Sequence, residues 1–389
     1  MKLTIHFYTL DFKIKRGIIL KKNISYKSVL AVFLLMYIGS IIFLNNIIAD
    51  KVFSESENRR LEQAPKFSTS QVVDGRYTTN YEKYITDQFP MRDFWIGVKS
   101  SAEKLIGKKE NNGVYLGKND FLLERFQKPE ENKFLGKIKE VNDFAKSISN
   151  GDIYFILIPG STEILKENLP AFAPNDSQLE IIEETKELLS HKINFVSIYE
   201  NLFSHRKNYI YYRTDHHWTT EGAYLAYKDF MNVMNIVPNE KEYFERVKVS
   251  DNFYGSLYSK SGFRNISPDS LCLYKAKRDE GIEVEYVEEM KKTNSIYCTE
   301  NLNKKDKYTV FLDGNHPYIK IKTNFKKDRK LLIIKDSFAN SFIPFLTGHF
   351  SEIHVIDPRY YKEDMVELIE KENIENILIL YSVNTFFKN

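Results

Sequence analysis

Apolar and polar positions along the chain fall into three regimes. Val29 to Ile48 (VLAVFLLMYIGSIIFLNNII) is an almost unbroken apolar run, interrupted only by Ser40 and the Asn45-Asn46 pair, and its length suffices to span a bilayer. Ser54 to Ser70 (SESENRRLEQAPKFSTS) is polar, contains one proline and keeps no sustained period, so it reads as a linker or stalk. Thr78 to Gly107 carries apolar residues at helical spacing with a break at Phe89-Pro90, which predicts two helices meeting at a proline-directed corner. In Asn112 to Glu124 (NGVYLGKNDFLLE), Asn-Gly and Lys-Asn-Asp turn chemistry surrounds two short apolar runs, a hairpin signature.

Beyond this point strand and helix alternate. Ile153 to Pro159, Ile193 to Tyr199, Tyr308 to Gly314, Lys330 to Ser337, Glu352 to Pro358 and Asn376 to Ser382 are short apolar strands, and Gln178 to Lys192 is an amphipathic helix. Fully apolar strands separated by helices predict an α/β fold with a mostly parallel sheet covered by helices on both faces. Residues 240–307 differ, being rich in charge and tyrosine with weak periodicity, and read as an insertion or lid. The expected organisation is a basic leader at 1–28, a transmembrane anchor at 29–48, a linker at 49–75 and a catalytic domain at 76–389.

Charge sets the direction of the anchor. Lys13, Lys15, Arg16, Lys21, Lys22 and Lys27 precede the apolar run against the single acid Asp11, and Asp50 follows it. The positive-inside rule then places the leader in the cytoplasm and the body outside, as a single-pass protein of the cell membrane. A cleaved signal peptide ending at Ala49 and a buried core helix are the other readings; the long leader and the missing A-x-A site favour an uncleaved anchor. Overall, 56 Lys and Arg against 53 Asp and Glu give a net charge of +3 with no long basic block beyond residue 50, so nucleic-acid binding is set aside. Cys272 and Cys298 could form one disulfide in an exported chain or remain two free thiols. No cysteine or histidine spacing suggests a structural zinc site, and no cofactor is required.

In an open parallel sheet, ligands sit outside the carboxyl ends of the strands. Polar residues follow four of the expected strands: Gly160-Ser161-Thr162, Asp313-Gly314-Asn315-His316, Asp336-Ser337 and Asp357-Pro358-Arg359. Ser337 stands at a strand-to-helix turn, where a serine is exposed near backbone N–H groups able to hold an oxyanion; the plainer reading is that it caps the helix. A base is available in Tyr211 to Tyr227 (YYRTDHHWTTEGAYLAY). If that segment is extended, Asp215 and His217 share one face while Thr214 and His216 share the other. A carboxylate then reaches one imidazole nitrogen and leaves the second for a serine hydroxyl, and adjacent histidines on opposite faces do not converge on a metal ion. Thr219 reads as a helix cap, Gly222 as a point of close packing and Trp218 as a packing residue that fixes the histidine.

DHHW at 215–218, SESENRRLEQAPKF after the apolar run, DQFPMRD at 87–93 and IIKDSFANSF around Ser337 together resemble the DHHW family, relatives of the periplasmic alginate O-acetyltransferases with an SGNH-hydrolase-like core. The resemblance runs from about residue 50 to the C-terminus. It implies a triad of Asp215, His217 and Ser337, with Lys335-Asp336-Ser337 standing where relatives often carry Gly-Thr-Ser. It also implies O-acetylation of an exopolysaccharide, with the acetyl group supplied by a membrane-bound O-acyltransferase partner. Gly314, Asn315, Asn340 and Arg359 are candidate oxyanion or substrate contacts by position, and Tyr254 and Tyr258 candidate sugar-stacking residues. A carbohydrate esterase with the same triad, a non-catalytic scaffold for the membrane acyltransferase and a metal-dependent hydrolase are the alternatives.

Overall fold

The computed structural model describes residues 26–54, 57 and 59–388; of the basic leader, residues 1–25 lie outside them. The chain divides into two units, residues 1–51 with 62–90, and residues 52–61 with 91–389. In the first, the apolar run forms the helix Tyr26–Ile47, none of whose residues is buried. Its 22 residues rise about 33 Å, against a hydrocarbon core of about 30 Å. Among the described residues it is the one helix long and apolar enough to cross a membrane. Helices Thr69–Val73 and Arg76–Asp87 belong to the same unit. The expected break before the next helix, Arg92–Leu105, falls around Pro90.

The second unit is built on an eight-stranded sheet. Its strands are β1 (Asp152–Ile158), β2 (Ile193–Phe195), β3 (Glu283–Tyr286), β4 (Lys291–Thr293), β5 (Tyr318–Lys322), β6 (Lys330–Lys335), β7 (Glu352–Ile356) and β8 (Asn376–Ser382), in the order β4-β3-β5-β7-β6-β8-β1-β2. The five strands from β7 to β2 are parallel. In β1, β6 and β8 the side chains are buried along most of their length, as expected of strands covered on both faces. The other three strands run antiparallel and make the sheet mixed.

Part of the 240–307 stretch therefore joins the main sheet. β3 alternates half-buried glutamates with buried Val284 and Tyr286, and β4 is largely exposed. Short edge strands carrying lysine and glutamate leave little periodic signal. The same stretch also supplies a second hairpin, Phe244–Phe253 with Asp269–Ala276. The predicted hairpin near residue 112 gains a third strand: Glu110–Asn111, Val114–Leu116 and Leu122–Glu124 form one antiparallel sheet. Cys272 and Cys298 are both free thiols.

The strand expected over Tyr308 to Gly314 does not form. Lys307–Val310 is a short 3-10 turn, and Leu312, Asp313 and Gly314 follow with φ of 57°, 57° and 101°. Three successive left-handed residues cannot continue a strand. The local sheet strand is instead β5, whose first residue, Tyr318, pairs with Ile356 at the end of β7. The 313–316 loop thus arrives at the edge where the parallel strands end, beside the turn after β6.

The helix Thr220–Val233 follows the Asp215 segment and is capped by Thr219, whose Oγ1 accepts Gly222 N at 3.4 Å. Gly222 sits where an added Cβ would lie 2.5 Å from the Ile210 carbonyl oxygen and 3.1 Å from Trp218 Cβ. Gly222→Ala is expected to cost about 1–3 kcal/mol through overpacking, read as a lower denaturant midpoint at an unchanged m-value.

Candidate active site

The Asp215 segment is bent rather than extended. Tyr211 and Trp218 pair as an isolated antiparallel bridge, and Tyr212 N donates to His217 O at 3.3 Å, so the residues between them form a tight loop. Asp269 holds one side of it, accepting from Arg213 N and Thr214 N at 2.8 Å each and from the Tyr209 hydroxyl. Asp215 holds the other. Its Oδ1 accepts His217 N at 3.0 Å and His217 Nδ1 at 2.6 Å, and its Oδ2 accepts Ser256 N at 2.7 Å. Asp215 and His217 meet because the chain turns back around the carboxylate, not because alternate residues of a strand share a face. Thr214 is wholly buried on Asp269, while the half-buried His216 ring lies 3.8 Å from that of His217 and bonds Ser256 Oγ at 2.6 Å.

Ser337 opens a short 3-10 turn, Ser337–Ser341, at the end of β6. Asp336, not Ser337, caps it: Oδ1 accepts Phe338 N at 2.9 Å, and Oδ2 accepts Ser382 N and Oγ at 2.9 and 2.8 Å. The serine hydroxyl is left half-buried, and Ser337 Oγ lies 2.7 Å from His217 Nε2. With the Nδ1–H donated to Asp215, Nε2 is the acceptor that a serine proton needs. Trp218 Nε1 donates to Phe338 O and Ser341 Oγ, both at 3.0 Å, and so ties the loop to the serine turn directly. The Tyr308 ring stacks on His217 at 3.9 Å, and its hydroxyl donates to Ser337 O and Ser341 Oγ at 3.2 and 3.0 Å.

Burial governs the protonation of this pair. It pushes His217 down to about 4, helped by the neighbouring His216 and opposed by Asp215. For Asp215 burial acts the other way, but the two imidazoles and the donated hydrogen bonds outweigh it and hold the carboxyl well below the usual range. At neutral pH the arrangement is a carboxylate, a neutral imidazole and a hydroxyl in line.

The other candidates divide. Asn315, Asn340 and Gly314 come together around Lys335: Lys335 Nζ donates to Asn315 Oδ1 at 2.7 Å and Asn340 Oδ1 at 2.8 Å, and Asn340 Nδ2 donates to Gly314 O at 3.1 Å. The Gly314 N–H is spent on Phe311 O, which leaves it no hydrogen for an oxyanion. Arg359 is held bidentately by Asp357, at 2.8 and 2.6 Å. Tyr254 packs on Tyr258 at 4.5 Å beneath the Lys305 ammonium. The donor atoms of Asp215, His216 and His217 lie within 4.8 Å of one another, so the bend removes the geometric argument against a metal there. Both nitrogens of His217 are already bonded, and an ion would compete with Ser337 for Nε2. In a second such group, Glu352, His354 and Glu372, Lys320 Nζ stands 3.2 and 2.7 Å from the two carboxylates.

The sequence matches the DHHW protein family over residues 132–356, more than half of the chain. The chain belongs to the DHHW family. No curated protein sequence matches it. Among solved structures it is similar to a DHHW family protein from Eubacterium siraeum DSM 15702, with 23% identity and a TM-score of 0.64 over 72% of this chain and 94% of that one. Bacillus cereus PatB1 with a sulfonyl adduct gives 22% and 0.60, over 71% and 97%. The O-acetyltransferase domain of Pseudomonas putida AlgJ is more distant, at 12% and 0.42 over 71% and 93%.

In this DHHW protein several residues around Asp215, His217 and Ser337 have roles in the structure that the sequence did not show. Tyr308 was hidden in an apparent strand, while Lys335 stood out only as a departure from the Gly-Thr-Ser of relatives, with no sign of the two amides it faces. Gly255 lies so close to the Asp215 side chain that an added Cβ would sit 2.2 Å from Asp215 Cβ. A cleft of about 260 Å³ is lined by His216 and Phe338, the neighbours of His217 and Ser337, with Glu124, Thr162, Lys260 and Asn384 among its other lining residues. Burial would raise the Glu124 carboxyl, but Lys388 and Lys260 hold it at about 2.

Two outcomes are expected when Ser337 is modified by a sulfonyl fluoride and the rate is followed by mass spectrometry. Because the reaction needs neutral His217, the rate should persist as pH falls through 6.5 and be lost only towards pH about 4. Gly255→Ala should slow it at every pH, since the new methyl displaces Asp215 and with it the imidazole.

Proposed function

We propose that this protein is an extracytoplasmic O-acetyltransferase of SGNH-hydrolase-like type, acting on an exopolysaccharide or cell-surface glycan through an acetyl-serine intermediate. The observation that carries the reading is the unbroken chain of contacts from Asp215 through His217 to Ser337 Oγ, at 2.6 and 2.7 Å. His217 takes the Ser337 proton as Oγ attacks the acetyl carbonyl of the donor, and passes it to the departing group. In the second half His217 takes the proton of a sugar hydroxyl, the sugar oxygen attacks the acetyl carbon, and Ser337 leaves with that proton. The Ser337 N–H, first in its turn and so without an intrahelical acceptor, meets the tetrahedral oxyanion.

The adjoining cleft supports a glycan acceptor. Ser161, Thr162, Ser256, Asn384 and Thr385 line it with hydroxyl and amide groups, the groups that hydrogen-bond sugar hydroxyls, and Phe338 adds an aromatic surface. The apolar helix Tyr26–Ile47 with its basic leader supports attachment to the membrane, cytoplasmic N-terminus first, where a membrane-bound O-acyltransferase would hand over the acetyl group. PatB1, of similar fold, was solved with a sulfonyl adduct, which agrees with a covalent-intermediate reading.

The full-length protein, given an acetyl ester donor and an oligosaccharide acceptor, should form acetylated sugar. Ser337→Ala and His217→Ala should abolish this, and Asp215→Asn should lower kcat by about 10⁴-fold through the wrong tautomer. Free acetate as the sole product would identify an esterase instead. No turnover together with no covalent labelling of Ser337 would leave the scaffold reading.

A further inference from the structure

We infer that Lys335 is a positioning residue for the reaction: its buried ammonium fixes the side-chain amide of Asn315 so that Asn315 Nδ2 is presented as a hydrogen-bond donor at the edge of the sheet that carries Ser337. The inference rests on the acyl-transfer reading of Ser337 and concerns how charge developing on the substrate oxygen is met.

Lys335 is the last residue of β6, 0% exposed, in a fold where a buried ammonium is costly unless its hydrogens are used. An ammonium has three donors and no acceptor, so any amide facing it must present oxygen. Two amides do, Asn315 at 2.7 Å and Asn340 at 2.8 Å, while Asp357 stands 3.8 Å away. Asn315 Oδ1 also accepts Asn340 Nδ2 at 3.2 Å, so two donors converge on it and its orientation is fixed. Its NH2 group must then point away from Lys335.

The two amides are not equivalent. Asn340 is 1% exposed, its Oδ1 is spent on Lys335, and its Nδ2 serves Gly314 O and Asn315 Oδ1. Nothing of it is left for a ligand. Asn315 is exposed, in the loop that enters β5, and reaches the edge where β6 and β7 end. Asn340 belongs to the Ser337–Ser341 turn, so the same lysine that orients Asn315 also ties its loop to the serine turn. A donor fixed in advance at such a point stabilises a forming oxyanion without reorganising.

The charge on Lys335 is itself poised. Burial lowers it to about 8, opposed by Asp357 and Asp336 and reinforced by Arg359; Tyr381 faces the same carboxylates. A neutral amine keeps only two N–H donors and adds a lone pair, so loss of the proton loosens the hold on the two amide oxygens.

The test measures p-nitrophenyl acetate turnover by the detergent-solubilised full chain. Lys335→Met should lower kcat by about 10²-fold with KM changed by less than about 3-fold. It should also remove the decline in rate expected of the wild type as Lys335 loses its proton above about pH 8. Asn315→Asp keeps an oxygen for Lys335 but has no N–H, and should lower kcat to a similar degree. Wild-type kcat in either variant overturns the inference, as does a Lys335→Met effect confined to KM. Should Lys335→Met fail to fold, Asn315→Asp decides alone. Full turnover in Ser337→Ala overturns instead the reading on which the inference rests.

Discussion

A carboxylate taken out of water must find donors on every side, and Asp215 finds three: His217 N, His217 Nδ1 and Ser256 N, all within 3.0 Å. An ion buried without them would be strongly unfavourable, so the chain around it has little freedom. Two of the donors come from one residue, which forces the backbone to turn between Asp215 and His217 and fixes the imidazole as Nδ1–H. The third comes from the segment at Gly255-Ser256, which can approach only because Gly255 has no Cβ. One buried charge thus sets the tautomer, the loop shape and the approach of a distant segment.

The serine side is ordered by the same means. Asp336, 1% exposed, uses one oxygen to cap the turn that begins at Ser337 and the other to hold Ser382 at the end of β8. The two halves of the site are then joined by Trp218, whose indole N–H reaches the serine turn, and by Tyr308, which stacks on the imidazole and bonds the same turn. Positioning by several rigid contacts is what a hydroxyl–imidazole pair needs, since proton transfer falls steeply with distance.

Much of this was legible in the sequence. The buried parallel strands, the serine at the end of β6, the Asp-x-His pair and the close packing at Gly222 follow from local pattern and residue chemistry. Other features were not. Tyr308 to Gly314 reads as a strand because its residues are apolar, yet three left-handed residues end it, and that turn leaves Tyr308 against His217. The strand alternation that paired Asp215 with His217 gave the right partners by the wrong geometry, and it misplaced Thr214 and His216.

What the sequence by itself determined is the chemistry available and its order along the chain: an apolar helix long enough for a bilayer, an α/β sheet, an acid and a base before a serine. These depend on short-range rules, the 2- and 3.6-residue periods and the demands of turns and caps. Tertiary structure alone decided how His217 and Ser337 are held together across 120 residues, that Gly255 makes room for Asp215, and that Lys335 inside an apolar strand faces two amides. The physical reason is that a buried polar group is satisfied by whatever the fold brings beside it, and such partners leave no period in the sequence.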